Sequence, residues 1–173
     1  MARFNMKVMM VSLGFALASA LPVAHAAGVG GPVYVHTNGA NDFLESIVVV
    51  KPGQKVVFVN EDTGDHTIRG YNQVTGKLDK QINGLVNGTP GYGHPVSTYT
   101  VSFKKPGIYM YYCSVHAHLK KVYHNMVAPV MNKGIHGYGA AMAGEIVVTR
   151  DSVLAEHNPP SSHFKILKDY FGG

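Results

Sequence analysis

The feature that most restricts this chain is a run near its middle, Tyr109-Met110-Tyr111-Tyr112-Cys113-Ser114-Val115-His116-Ala117-His118. It carries the only cysteine three residues before a histidine, at the end of an apolar stretch. A thiolate and a neutral imidazole together select a soft transition metal. One thiolate, two imidazoles and a weak axial thioether form the trigonal set suited to mononuclear electron-transfer copper. Two donors this close in sequence cannot complete such a site, so the fold must bring distant segments to Cys113.

Two segments offer the missing donors. Val56-Val57-Phe58-Val59-Asn60-Glu61-Asp62 has the pattern of a strand entering a loop, and His66-Thr67-Ile68 follows. Downstream, Met142-Ala143-Gly144 leads into the β-branched run Glu145-Ile146-Val147-Val148-Thr149. At these residues the chain resembles the cupredoxins, the single-domain blue copper proteins of the plastocyanin, amicyanin and pseudoazurin group. The shared pattern is an Asn-ended strand with a histidine soon after it, then Tyr-x-Cys-x-x-His, then Met-x-Gly before a last strand.

The resemblance implies a type 1 site on His66, Cys113, His116 and Met142. It would hold one copper per chain, cycling between Cu(I) and Cu(II). It also implies a hydrogen bond near the Cys113 sulfur from the backbone of Asn60 or Thr67, or from the Asn60 side chain. One departure is large: 25 residues separate His116 from Met142, where cupredoxins have only a few. His118 therefore competes with His116, and Leu119, Met126, Met131 and His136 occupy positions that compete with Met142.

Residues 1–26 have a basic start at Arg3 and Lys7, an apolar run from Val8 to Leu21, and the small-x-small signature Ala24-His25-Ala26. This is the pattern of a secretory leader, too short in its apolar part for the about 20 residues of a membrane span. The expected mature chain is a soluble periplasmic protein beginning near Ala27. Removing the leader takes two of the 15 basic residues and leaves 13 against 10 acidic ones. So mild an excess suits docking to an acidic protein, and no basic run of the kind nucleic acid requires is present. Exported proteins usually pair their cysteines; a single one points to a ligand, a reactive thiol or an intermolecular bridge.

The remaining patterns predict an all-β chain, an antiparallel Greek-key sandwich of cupredoxin type with a short helical insertion and a C-terminal helix. Strands are expected over residues 32–37, 46–50, 55–59, 99–103, 108–112 and 145–149. Lys51-Pro52-Gly53-Gln54 has the composition of a type II turn. Alternation over 99–103 predicts one buried face, and the continuous apolar run 108–112 predicts a deeply buried strand. Residues 70–97, rich in Gly, Asn and Pro, are expected to form a long surface excursion carrying a solvated His94.

Leu119, Val122, Tyr123, Met126, Val127 and Val130 fall at helical spacing, which predicts an amphipathic helix ended by Pro129, with Met126 packed inward. The domain then spans 27–150, with an insertion at 119–141. A tail at 151–173 carries Phe164, Leu167 and Tyr170 or Phe171 as a helical stripe that packs on the sandwich. All four methionines of the mature chain lie between 110 and 142, together with His116, His118, His124 and His136, which leaves room for a second copper site there.

The leading functional expectation is a monomeric electron carrier whose partner is a cytochrome or another redox protein. A copper-binding protein for tolerance, sequestration or delivery is the alternative. A copper enzyme is not expected, because further histidine sets and a second such domain are missing.

Overall fold

The computed structural model describes residues 30–91, 93–135 and 140–156. The expected leader, His136 and the 157–173 part of the tail, including its expected helix, lie outside them. Among the described residues there are eleven strands: β1 (Val33–Asn38), β2 (Asp42–Phe43), β3 (Ile47–Val50), β4 (Lys55–Asn60), β5 (His66–Tyr71), β6 (Leu78–Val86), β7 (Ser97–Ser102), β8 (Gly107–Tyr112), β9 (Ala117–Lys121), β10 (Val127–Met131) and β11 (Ala143–Val148). One short helix, α1 (Ser152–Glu156), follows.

Two sheets form the sandwich, a four-stranded one in the order β2-β1-β4-β7 and a five-stranded one in the order β3-β11-β8-β5-β6. The expected all-β sandwich is present, with β1–β4 and β3–β11 paired in parallel rather than antiparallel fashion. No helix among the described residues is long and apolar enough to cross a membrane.

All six strands expected from β-branched and aromatic runs form, within two residues of the expected ends. The Pro52-Gly53 connection closes through Gln54 N–H donating to Lys51 O at 3.0 Å, with Gly53 at φ 84°, the left-handed value that a type II turn demands of its third residue. Alternation along β7 buries Val101 and exposes Thr98, Thr100 and Ser102, as expected. Between the sheets, the rings of Phe43 and Phe58 each meet Tyr111 edge-on at 5.0 Å. All three are at most 1% exposed, and burying a side chain of this kind contributes about 1.5–3 kcal/mol.

Three expectations are corrected. β8 is not buried throughout: Tyr111 points into the sandwich, whereas Ile108, Met110 and Tyr112 line the outer face, and Ile108 is 60% exposed. The supposed excursion at 70–97 holds most of the β5–β6 hairpin. Two of its glycines serve close packing: a Cβ on Gly84 would lie 2.4 Å from the Tyr99 ring, and one on Gly70 would lie 2.9 Å from the Asp79 carbonyl.

The amphipathic helix expected across Leu119–Val130 is instead the β9–β10 hairpin, with a single 3-10 turn, Tyr123–Asn125, at its tip. His124 and Asn125 have φ of 52° and 64°, and Met126 N–H donates to Tyr123 O. Two successive left-handed residues make the tight turn whose twist matches a hairpin. Pro129 lies in β10 without cost to the ladder. Val127 N–H turns away from β9 to Gln73 O at 2.7 Å, and Pro129, two residues on, shares that outward direction. The hairpin covers the outer cluster of Tyr71, Tyr112, Met110 and Ala143 with Ala117 and Leu119, while Met126 stays 44% exposed rather than packing inward.

Candidate metal centre

The antiparallel β5–β8 and β8–β11 pairings place the start of β5, the end of β8 and the start of β11 at one end of the five-stranded sheet. His66 opens β5, Cys113 follows β8, His116 lies one residue before β9, and Met142 lies one residue before β11. Ligand atoms of His66, Cys113 and His116 all fall within 4.8 Å of one another. Cys113 Sγ is 3.3 Å from His116 Nδ1 and 3.9 Å from His66 Nδ1. His66 and Cys113 are fully buried, and His116 is 8% exposed.

Local hydrogen bonds set this geometry. His116 and Ala117 N–H both donate to Cys113 O, at 3.2 and 2.9 Å, which curls the loop so that Cys113 and His116 point the same way. Thr67 N–H donates to Cys113 Sγ at 3.4 Å, and Thr67 Oγ1 lies 3.7 Å from it. Ser114 N–H in turn donates to Thr67 Oγ1 at 2.7 Å. Cys113 N–H donates to Met142 O at 3.0 Å, and the Met142 side chain, 1% exposed, belongs to the same buried cluster as Cys113.

Of the donors suggested for the sulfur, Thr67 takes the role and the Asn60 side chain does not. Asn60 Nδ2 donates to Gly64 O and Val86 O, while Asn60 Oδ1 accepts from Thr37 Oγ1 and Asp62 N–H. It braces the loop before His66 instead. His118 is exposed, with Nδ1 2.8 Å from Asn132 Oδ1, and does not join the group. His94 is exposed as expected.

Two supports were invisible in the sequence. Asn132 ties the far end of the hairpin to the ligand loop through Asn132 N–H to His116 O and Asn132 Nδ2 to Val115 O, both 2.9 Å. Asp62 meets His66 from outside, Oδ2 lying 2.9 Å from Nε2. Only the four-residue spacing of Asp62 and His66 hinted at the second.

The electrostatics suit a cation. Burial raises the Cys113 thiol, but contacts with His116 and His66 and the N–H groups of Thr67 and His116 outweigh it and bring the pKa down to about 5. Burial lowers His66, yet Asp62 and Cys113 raise it to about 9. The sulfur is thereby eased toward the thiolate, the form in which a cysteine binds a metal cation.

Fold and site together define a β-sandwich protein with a buried cysteine and two histidines converging at one end of a sheet. No family model and no curated protein matches the chain. Solved structures to which the chain is similar include a novel purple cupredoxin from Nitrosopumilus maritimus, at 19% identity and TM-score 0.44, covering 68% of this chain and 99% of that one. Another is amicyanin from Paracoccus versutus (Thiobacillus versutus), at 18% identity and TM-score 0.44, covering 78% of this chain and 96% of that one.

Proposed function

We propose that this protein is a mononuclear copper protein that carries single electrons, and that His66, Cys113 and His116, with Met142 beside them, are the residues that would hold the ion. The observation that carries this reading is the convergence of one thiolate and two imidazole nitrogens in a buried cluster. The donor set fits copper: a soft sulfur with two imidazoles and a thioether nearby is the combination that accepts both Cu(I) and Cu(II).

Bound there, copper would supply a one-electron couple. The chain's own residues hold the donors in place through Thr67, Asn132 and the β8–β11 pairing, so little has to move when the charge changes. Of the two imidazoles, His116 is the one with an edge at the surface, and electrons would enter and leave there. In this reading the leader directs the protein to the periplasm, where it meets a redox partner as a monomer. The alternative role in copper tolerance would draw on the His/Met segment, but His118 is engaged by Asn132 and His124 sits on the exposed hairpin tip.

The test is an absorption and paramagnetic resonance spectrum of the Cu(II)-loaded protein. An intense sulfur-to-copper band is expected, and Cys113→Ala removes it. Copper-loaded wild type without such a band would overturn the proposal.

A further inference from the structure

Asp62 sits in the loop between β4 and β5 with its side chain 10% exposed, against a His66 that is fully buried. Nδ1 of His66 faces Cys113, and Nε2 faces Asp62 Oδ2 at 2.9 Å. Asp62 is held through both its backbone and its carboxylate. Asp62 N–H donates to Asn60 Oδ1 at 2.9 Å, Asp62 O accepts from Thr89 N–H at 2.8 Å, and Asp62 Oδ1 accepts from Gly64 N–H at 3.3 Å. Oδ1 is thus committed to the loop and Oδ2 to the imidazole.

We propose that Asp62 is a positioning residue that biases the centre toward its oxidised state, an inference that rests on the copper reading above. A carboxylate on the far nitrogen of a ligating histidine fixes its tautomer and strengthens it as a donor. The charge count points the same way. With the Cys113 thiolate and the Asp62 carboxylate both present, a divalent ion leaves the buried centre neutral, and a monovalent ion leaves it with one negative charge. Uncompensated charge away from water is disfavoured. Replacing Asp62 by a neutral group of the same shape reverses the bias.

The experiment measures the midpoint potential of copper-loaded wild type, Asp62→Asn and Asp62→Glu, each with its absorption spectrum. Asp62→Asn keeps the shape and an acceptor oxygen but loses the charge. It is expected to lower the ratio of Cu(II) to Cu(I) affinity about tenfold, an upward shift of about 59 mV for one electron. Asp62→Glu keeps the charge and stays closer to wild type.

An unchanged potential in Asp62→Asn with the sulfur-to-copper band intact would overturn this inference alone. So would equal shifts in Asn and Glu variants, which would assign the effect to packing. Should Asp62→Asn not fold, Asp62→Ser, which also removes the charge, takes its place under the same criteria. Absence of the band in wild type would overturn the copper reading and this inference with it.

Discussion

Tyr111 and Gly144 show how closely the two sequence signatures around the site depend on each other. The β8–β11 register sets Gly144 opposite Tyr111. A Cβ on Gly144 would stand 2.4 Å from both the Tyr111 hydroxyl and the Ser46 carbonyl. The glycine of Met-x-Gly therefore makes room for the tyrosine of Tyr-x-Cys, and both sit two residues from a proposed ligand. Gly144→Ala is expected to cost about 1–3 kcal/mol through overpacking, measured by chemical denaturation. The Tyr111 hydroxyl itself is buried without a hydrogen-bond partner among the described residues. Tyr111→Phe removes that unsatisfied group while keeping the ring, and a gain of about 1 kcal/mol is expected in the same measurement.

At the scale of elements, the β9–β10 hairpin rests on the outer sheet face and is stitched to the ligand loop by Asn132. Asn132→Ala deletes the bonds to Val115 O and His118 while leaving the backbone bond to His116 O. Exposed bonds of this kind contribute about 0.5–1.5 kcal/mol each. Faster amide exchange over Ala117–Lys121, with β8 unaffected, is the expected outcome.

The hairpin is also where sequence reasoning failed. Leu119, Val122, Tyr123, Met126, Val127 and Val130 satisfy a helical period, and the turn is His124-Asn125 rather than the Asn-Gly pair that usually announces a hairpin. The β5–β6 hairpin hid for a related reason: Gly70 and Gly84 look like loop residues but are there because neighbouring groups leave no space for a side chain. The six strands, the Pro52-Gly53 turn and the pair Cys113 and His116 were legible, because strand composition and close donor spacing are local signals, while His66, 47 residues from Cys113, joined them through the resemblance. Asn132 reaches Val115 O across 17 residues and leaves no local trace, and Asp62, though only four residues from His66, stands in no pattern that marks it as its partner; Thr67 is named through the resemblance, beside Asn60.

For the whole molecule, the crossing between the two sheets is secured by a buried ion pair. His36 on β1 and Glu45 between β2 and β3 are 2% and 8% exposed. Nδ1 of His36 lies 3.1 Å from Glu45 Oε1, and His36 N–H donates to Glu45 Oε2 at 2.7 Å. The hydrogen bond to Glu45 raises His36 above its ordinary 6.5, against the effect of burial. Burial raises Glu45, but its bonds to His36 outweigh this and leave it below its ordinary 4.5.

The raised histidine stabilises fully below 6.5 and loses its contribution as pH rises through its folded value. The lowered carboxylate stabilises fully above 4.5 and loses its contribution as pH falls through its folded value. Both act together between 4.5 and 6.5. The stability deficit of Glu45→Gln is therefore expected to be greatest in that window and to shrink on either side, as read from denaturation midpoints across pH.

Pro129 has a further effect at this scale. The outer border of β10 meets no other strand among the described residues, and such borders invite a second molecule to extend the sheet. An incoming chain would find a pyrrolidine ring at the middle of that border, and beside it an amide hydrogen already given to Gln73. The residue that resembles a helix stop thus leaves this border a poor template for a further strand.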